Sequence, residues 1–347
     1  MNIFSINKKF NCEEIIFKYD KKSNLRCILI IDSTKLGKKA CGGVRMLGFK
    51  NEEEALRDGL KLAKAMSKKH ALYDIELGGA KAVVMGNPKK DKTKEMLEAF
   101  GRFVESLGGK YWTCIDMGFT MDDAKVIASQ TQFIDSVEPA IKQGSLGLSG
   151  IGTGIGVVEG MKIAIQKTFS NSDLEGIRVA VQGLGSVGST VAELLIEEGA
   201  EVFGADYDEH NIQKAKKIGV KIISSQKLHS IECDVFSPCA VGNTINSKNY
   251  SQLNCKIICG GANNQLENYE IAKKLKKKGI LYLPDFMING GGVIQAEGEY
   301  AGTTKEEAYQ NIRIRVSKMV DQILSLAEKR DKLPFEVAEE IANKKLA

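Results

Sequence analysis

Six consecutive residues, Gly183-Leu184-Gly185-Ser186-Val187-Gly188, restrict this chain more than any other stretch. They follow the mostly apolar run Ile177-Arg178-Val179-Ala180-Val181-Gln182 and open a segment with helical spacing. The order predicts a strand, a tight glycine turn and a helix, in which small residues let a phosphate approach the helix N-terminus. A second apolar run, Glu201 to Ala205, ends at Asp206, about 20 residues on, where a carboxylate can hold ribose hydroxyls. A helix that merely begins on glycines needs neither the strand nor the acid. The expected unit is a Rossmann-type parallel sheet that uses Gly183, Gly185, Ser186, Val187, Gly188 and Asp206 to bind a dinucleotide. No arginine stands near Asp206, and Tyr207-Asp208 follows it, a pattern that repels a 2′-phosphate; NAD rather than NADP is expected.

One such unit does not use up 347 residues, a length that suits about two domains of ~150 residues. With 49 Lys and Arg against 44 Asp and Glu, interspersed, the charge is that of a solvated surface rather than a nucleic-acid stripe. The eight cysteines form no CxxC pair and mostly sit in apolar runs, and no charged-then-apolar leader opens the chain; free thiols and a cytoplasmic setting are expected. No apolar run approaches the ~20 residues that cross a bilayer, so no membrane association is expected. The three histidines have no partner at metal-ligand spacing, so no metal is expected and acid–base work falls to Lys, Asp or Glu.

The second constraint is the stretch Lys68-Lys69-His70 to Leu77-Gly78-Gly79-Ala80-Lys81-Ala82-Val83-Val84. Its three small residues predict a tight turn that delivers Lys81 to the mouth of a buried strand. A lysine where water is scarce, with Lys68 and Lys69 nearby, loses preference for its charged form and can act as a base. The competing reading is a surface loop of solvated lysines.

Around these anchors the chain alternates apolar runs with helical segments. Glu13–Tyr19 and Leu25–Asp32 read as paired strands, Asn51 caps a helix that ends near Lys68, and Asp91 and Thr120 cap two more. Asp116 directly follows the strand Tyr111–Ile115. The Gly/Ser-rich connection between Asp135 and Thr153 reads as a domain hinge. Later strands end in the turns Ser237-Pro238-Cys239-Ala240, Gly260-Gly261-Ala262-Asn263-Asn264 and Asn289-Gly290-Gly291-Gly292, at the carboxyl ends that face a ligand crevice. Taken alone, Asn263 and Asn289 suit turn formation equally well.

In order, Gly42-Gly43-Val44-Arg45, Leu77-Gly78-Gly79-Ala80-Lys81, Ile115-Asp116-Met117-Gly118, Asp234-Val235-Phe236-Ser237-Pro238-Cys239-Ala240 and Pro284-Asp285-Phe286-Met287-Ile288-Asn289-Gly290-Gly291-Gly292 resemble the Glu/Leu/Phe/Val amino-acid dehydrogenase family. The likeness runs from roughly residue 35 to 300 and is nearest the leucine dehydrogenase branch. It implies two α/β domains with a cleft between them. A substrate and oligomerisation domain would comprise 1–137 with 325–347, and an NAD-binding Rossmann domain 138–324. It also implies reversible oxidative deamination of an L-amino acid to a 2-oxo acid and ammonia, in a homo-oligomer of two to eight subunits. Lys81 and Asp116 would be catalytic, and Lys69 would hold the substrate carboxylate. Gly42 and Gly43 would adjoin the substrate, Asn263 and Asn289 would face substrate and nicotinamide, and Thr153, Cys239 and Ala240 would contact the cofactor. Cys41, Met66, Cys114, Val293 and Ala296 would line the side-chain pocket.

That lining is apolar, which disfavours a glutamate-type substrate and favours a branched-chain one. Cys41 and Ala296 are smaller than the residues usual there, so an aromatic side chain is the alternative. Three departures from the family pattern stand out: Ala80 in place of a third glycine, expected to set a methyl beside the site; Ile115, where an acid is usual; and Lys68, where an aromatic is common. They keep alive a non-catalytic NAD or amino-acid sensor, against which the joint presence of Lys69, Lys81 and Asp116 argues.

Overall fold

A computed structural model describes residues 2–135, 149–170 and 173–347. Most of the expected hinge, residues 136–148, lies outside the described residues. The chain divides into two compact units, one of Met1–Leu146, Ala296–Thr304 and Ala342–Ala347, the other of Gly147–Gln295 and Lys305–Ile341.

In the first unit, α1 (Ile3–Phe10) precedes β1 (Glu14–Asp20), β2 (Leu25–Ile31), β3 (Ala40–Leu47), α2 (Glu52–Leu72), β4 (Gly78–Met85), α3 (Lys94–Ser106), β5 (Tyr111–Ile115) and α4 (Met121–Ala128). The five strands form one mixed sheet in the order β1-β2-β4-β3-β5. The expected hairpin is present, with Glu14 opposite Ile31 and Asp20 opposite Leu25. Strand alternation then divides the sheet between two apolar layers. Ile28, Ile30 and Val83 pack with Leu56, Leu60 and Ala63 of α2. Leu29, Ile31, Ala80, Ala82 and Val84 pack with Phe100, Phe103 and Val104 of α3 and Ala124 of α4.

Local chemistry sets the helix ends. Asn51 caps α2 by accepting from Glu54 N at 2.9 Å, with Glu52, Glu53 and Glu54 in the first turn, where acids suit the helix dipole. Thr120 and Asp123 form a reciprocal capping box on α4. Two expectations shift: Thr93, not Asp91, caps α3, and α2 continues to Leu72, so Lys69 and His70 belong to its last turn.

The second unit carries α5 (Ser149–Phe169), β6 (Arg178–Gln182), α6 (Ser186–Glu197), β7 (Glu201–Ala205), α7 (Glu209–Lys217), β8 (Lys221–Ile222), α8 (Ser225–Leu228), β9 (Val235–Pro238), β10 (Ile257–Ile258), α9 (Tyr269–Lys277), β11 (Leu281–Tyr282), α10 (Asp285–Ile288) and α12 (Lys305–Lys329). Two further helices, α11 (Gly291–Ala301) and α13 (Pro334–Leu346), have residues in both units. The sheet has six parallel strands in the order β11-β10-β9-β6-β7-β8. Strand order reverses between β6 and β9, the place where open parallel sheets bind ligands at their carboxyl ends. Among the described residues no helix is long and apolar enough to cross a membrane.

Candidate active site and dinucleotide-binding loops

The glycines before Lys81 do not make the expected turn. Gly78 and Gly79 lie inside β4, and the chain reverses earlier, at Tyr73–Leu77, where Asp74 adopts a φ of 52°. What the glycines supply is space. A Cβ on Gly78 would strike the Ser33 carbonyl, and one on Gly79 would strike Ser67 and the Ala63 carbonyl of α2. Helix α2 therefore lies directly on the strand that carries Lys81. His70 fastens the connection: its Nδ1 lies 3.1 Å from the Gly78 carbonyl oxygen, and its backbone carbonyl accepts from Ile75 N at 2.9 Å. Burial drives the imidazole pKa down to about 4, the charge on Lys69 adds to this, and the hydrogen bond to Gly78 opposes it.

Alternation along β4 sends Lys81 to the α2 face and Ala80 to the opposite one, where it is fully buried in the α3–α4 layer. The Ala80 methyl is thus part of the core and not, as expected from the sequence, beside the site.

Lys81 is buried, with 6 % of its surface exposed. Its Nζ donates to Asp116 Oδ2 at 2.5 Å, and Arg45 Nε donates to the same oxygen at 2.9 Å. Arg45 also reaches Asp58 of α2, Nη1 to Oδ2, at 3.2 Å. Burial alone would raise the Asp116 pKa, but Lys81 and Arg45 outweigh it and hold the carboxyl well below the usual range. The site is a chain of alternating charge, Asp58, Arg45, Asp116 and Lys81. Neither Asp58 nor a role for Arg45 was apparent from the sequence, although reading 40–47 as a strand would have placed Cys41, Gly43 and Arg45 on one face.

Gly43 borders this pair: a Cβ there would stand 3.0 Å from Asp116 Cβ and 3.3 Å from Lys81 Nζ. The Gly42 carbonyl accepts from the Tyr111 hydroxyl at 2.6 Å, which pins β3 to β5. Cys41 and Cys114 lie on these adjacent strands, and the neighbouring Cys114 thiol together with burial pushes the Cys41 thiol well above its ordinary pKa. Met66 is half-buried on α2, and Lys69 is buried in that helix's last turn. Val293 and Ala296 are half-buried on α11.

In the second unit, Gly183 has a φ of +87°, a backbone that side chains rarely tolerate. A Cβ on Gly188 would land on the Gly183 carbonyl, so the start of α6 packs tightly against the end of β6. A Cβ on Gly185 would meet nothing within 4 Å, and no side chain caps α6. Open space in front of an uncapped helix start is what a pyrophosphate requires, and the loop fits a dinucleotide. Asp206 ties down the same loop, accepting from Leu184 N at 2.6 Å, Tyr207 N at 2.7 Å and Asp208 N at 2.9 Å. Its burial is outweighed by these donors, and its pKa is lowered.

Other expected cofactor residues converge here. A Cβ on Gly183 would lie 2.7 Å from the Ala240 methyl, and one on Gly188 would lie 3.2 Å from Cys239 Cβ. Gly261 N donates to the Cys239 thiol at 3.5 Å. The spot a Gly261 Cβ would occupy is bordered by Val187 and Thr153, and the Gly292 counterpart lies 2.7 Å from the Thr153 hydroxyl. Asn289 Nδ2 donates to Asn263 Oδ1 at 2.9 Å and to the Gly261 carbonyl at 3.2 Å, which leaves Asn289 Oδ1 buried without a partner. A buried acceptor of this kind asks for a donor from a bound molecule.

Comparison with known proteins places the sequence and the fold. Residues 14–133 match the family model described as "Glu/Leu/Phe/Val dehydrogenase, dimerisation domain", and residues 144–209 and 205–347 match "Glutamate/Leucine/Phenylalanine/Valine dehydrogenase". The leucine dehydrogenase of Thermoactinomyces intermedius is 39% identical over 341 residues, which cover 97% of this chain and 91% of that protein. The phenylalanine dehydrogenase of Lysinibacillus sphaericus is 43% identical over 302 residues, 85% of this chain and 78% of that protein. The crystal structure of L-tryptophan dehydrogenase from Nostoc punctiforme superposes with a TM-score of 0.80 at 34% identity, covering 99% of this chain and 98% of that one.

Proposed function

Since the chain belongs to the Glu/Leu/Phe/Val dehydrogenase family, we propose that it oxidatively deaminates a branched-chain L-amino acid to the 2-oxo acid and ammonia, reversibly and with NAD. The observation that carries this reading is the pairing of buried Lys81 with part-exposed Asp116, 2.5 Å apart, bordered by Gly43, where any side chain would press on both.

Each residue then has a task. Lys69 pairs with the substrate carboxylate and fixes the orientation of Cα. Loss of hydride from Cα leaves an iminium, and water must give up a proton to attack it; Lys81 and Asp116 share that proton and return it to the departing amine. The dinucleotide, when bound, accepts the hydride. Gly183, Gly185, Ser186, Val187 and Gly188 would cradle its pyrophosphate. Asp206 would hold the ribose hydroxyls, and its ionised carboxyl favours NAD over NADP. Thr153, Cys239, Ala240, Asn263 and Asn289 would contact its nicotinamide half, where Asn289 Oδ1 supplies an unused acceptor. Self-association fits the dimerisation domain that residues 14–133 match, and eight free thiols fit a cytoplasmic setting.

An aromatic substrate is the second reading. It is favoured by the likeness to phenylalanine and tryptophan dehydrogenases and by the small Cys41 and Ala296 of the assigned pocket. A panel of L-amino acids followed by NADH absorbance at alkaline pH separates the two. Leucine and valine should give the highest kcat/KM; preference for phenylalanine or tryptophan supports the second reading, and no turnover of any amino acid defeats both.

A further inference from the structure

Arg45 makes two contacts that no catalytic step requires. Its Nε donates to Asp116 Oδ2 at 2.9 Å and its Nη1 lies 3.2 Å from Asp58 Oδ2, so one guanidinium joins β3 to the turn after β5 and to the middle of α2. The Arg45 side chain is only 11% exposed, while both carboxylates it holds are partly exposed. Oδ2 of Asp116 thereby takes two cations, Lys81 and Arg45, and the carboxylate is held against rotation. A planar guanidinium can reach two carboxylates in fixed directions, which a single ammonium cannot.

We propose that Arg45 is a positioning residue for the Lys81–Asp116 pair and that Asp58 anchors Arg45 in that role. Arg45 acts through Asp116: it holds that carboxylate's Oδ2 and sets its orientation and the charge around it. The inference rests on the catalytic reading of the pair. The charged groups facing Asp116 are Lys81 from β4 and Arg45 from β3, with Asp58 of α2 behind Arg45; the Cys114 thiol lies on β5, and Lys92 binds the Gly118 carbonyl and Asp123 further along the turn.

The two partners carry opposite charge, so their removal has opposite electrostatic signs. Arg45→Gln takes a cation from the pair and should move the acid limb of kcat/KM to higher pH, by about one unit. Asp58→Asn takes away an anion and should move it to lower pH. Both should lower kcat, Arg45→Gln by about 10- to 100-fold and Asp58→Asn by less, with KM for the amino acid changed under about threefold, because orientation and not ground-state binding is lost. Arg45→Lys should restore the limb to its original place but not the full kcat, and it decides the matter should Arg45→Gln fail to fold. NADH binding by fluorescence should stay unchanged in all three. Loss of kcat with the limb unmoved, or limbs that move in the same direction, would overturn the positioning role. Lys81→Ala and Asp116→Asn run alongside: activity retained in these overturns the catalytic reading, whereas their silence with a wild-type profile in Arg45→Gln overturns only the role of Arg45.

Discussion

Lys81 Nζ lies 3.3 Å from the point where a Cβ on Gly43 would stand, and the Lys81–Asp116 pair, proposed to be catalytic, keeps its place because that Cβ is missing. Gly43→Ala would also set a methyl 3.0 Å from Asp116 Cβ, closer than neighbouring atoms normally allow, and the pair must shift by a few tenths of an ångström. A misplacement of about 1 Å can cost ~100-fold in rate, so kcat should fall by about tenfold or more. Thermal unfolding and NADH binding should change little. Steady-state kinetics check this, and a kcat within twofold of the parent would show that the pair tolerates the methyl.

Asp206 should set cofactor choice and also brace the loop. Asp206→Ser is expected to raise kcat/KM with NADP relative to NAD by about tenfold, since the carboxylate repels a 2′-phosphate. The tether to Leu184 N is weakened at the same time, so NAD binding should loosen by about 1 kcal/mol. Titration with both cofactors tests the two effects separately; an unchanged ratio would remove the acid from its discriminating role.

His70 should make stability fall in mild acid. Its folded pKa of about 4 lies below the ordinary 6.5, so the unfolded chain binds the proton more readily. The contribution is intact above pH 6.5 and is lost as pH falls from 6.5 to about 4, by roughly 3 kcal/mol in total. Urea midpoints at pH 7 and 5 should differ less in His70→Asn than in the parent, and equal differences would contradict the assignment.

Ala80 should matter for stability and not for substrate choice. Ala80→Gly removes a buried methyl and loosens a strand, a loss of about 1 to 2 kcal/mol. The ratio of leucine to phenylalanine turnover should hold within about threefold. A larger change would place the methyl near the substrate after all.

The dinucleotide half was legible because its signals are local: strand, glycine turn, helix and acid follow one another, and the sheet simply stacks them in parallel. Lys81 and Asp116 were legible as candidates from local signals too, Lys81 from the glycines before an apolar run and Asp116 from its place directly after a strand, although Lys81 lies inside β4 and not at its mouth. Gly78 and Gly79 were misread, because a glycine that frees a dihedral and one that makes room for a neighbour look alike in sequence. The residues that distinguish the cases, Ser33 and Ser67, are remote or on another element. Asp58 was invisible because it is one of several acids in the first two turns of α2, where only the fold shows which carboxylate meets Arg45. The Ala80 error was one of side: alternation gives the face only once the strand's first residue is known.

The contact of Gly79 with Ser67 acts as a gauge. Lys69 stands in the last turn of the helix and Lys81 on the strand beneath it, so the closeness of this one contact fixes the depth at which the helix carrying Lys69 lies over the strand carrying Lys81. On the roles proposed for them, that depth would set where a substrate carboxylate lies relative to the carbon next to it. On that reading the chain would gauge the backbone of its substrate with one fixed contact, apart from the residues proposed to line the side-chain pocket. Substitutions in that pocket could then change side-chain preference while the demand for an α-amino acid stays put.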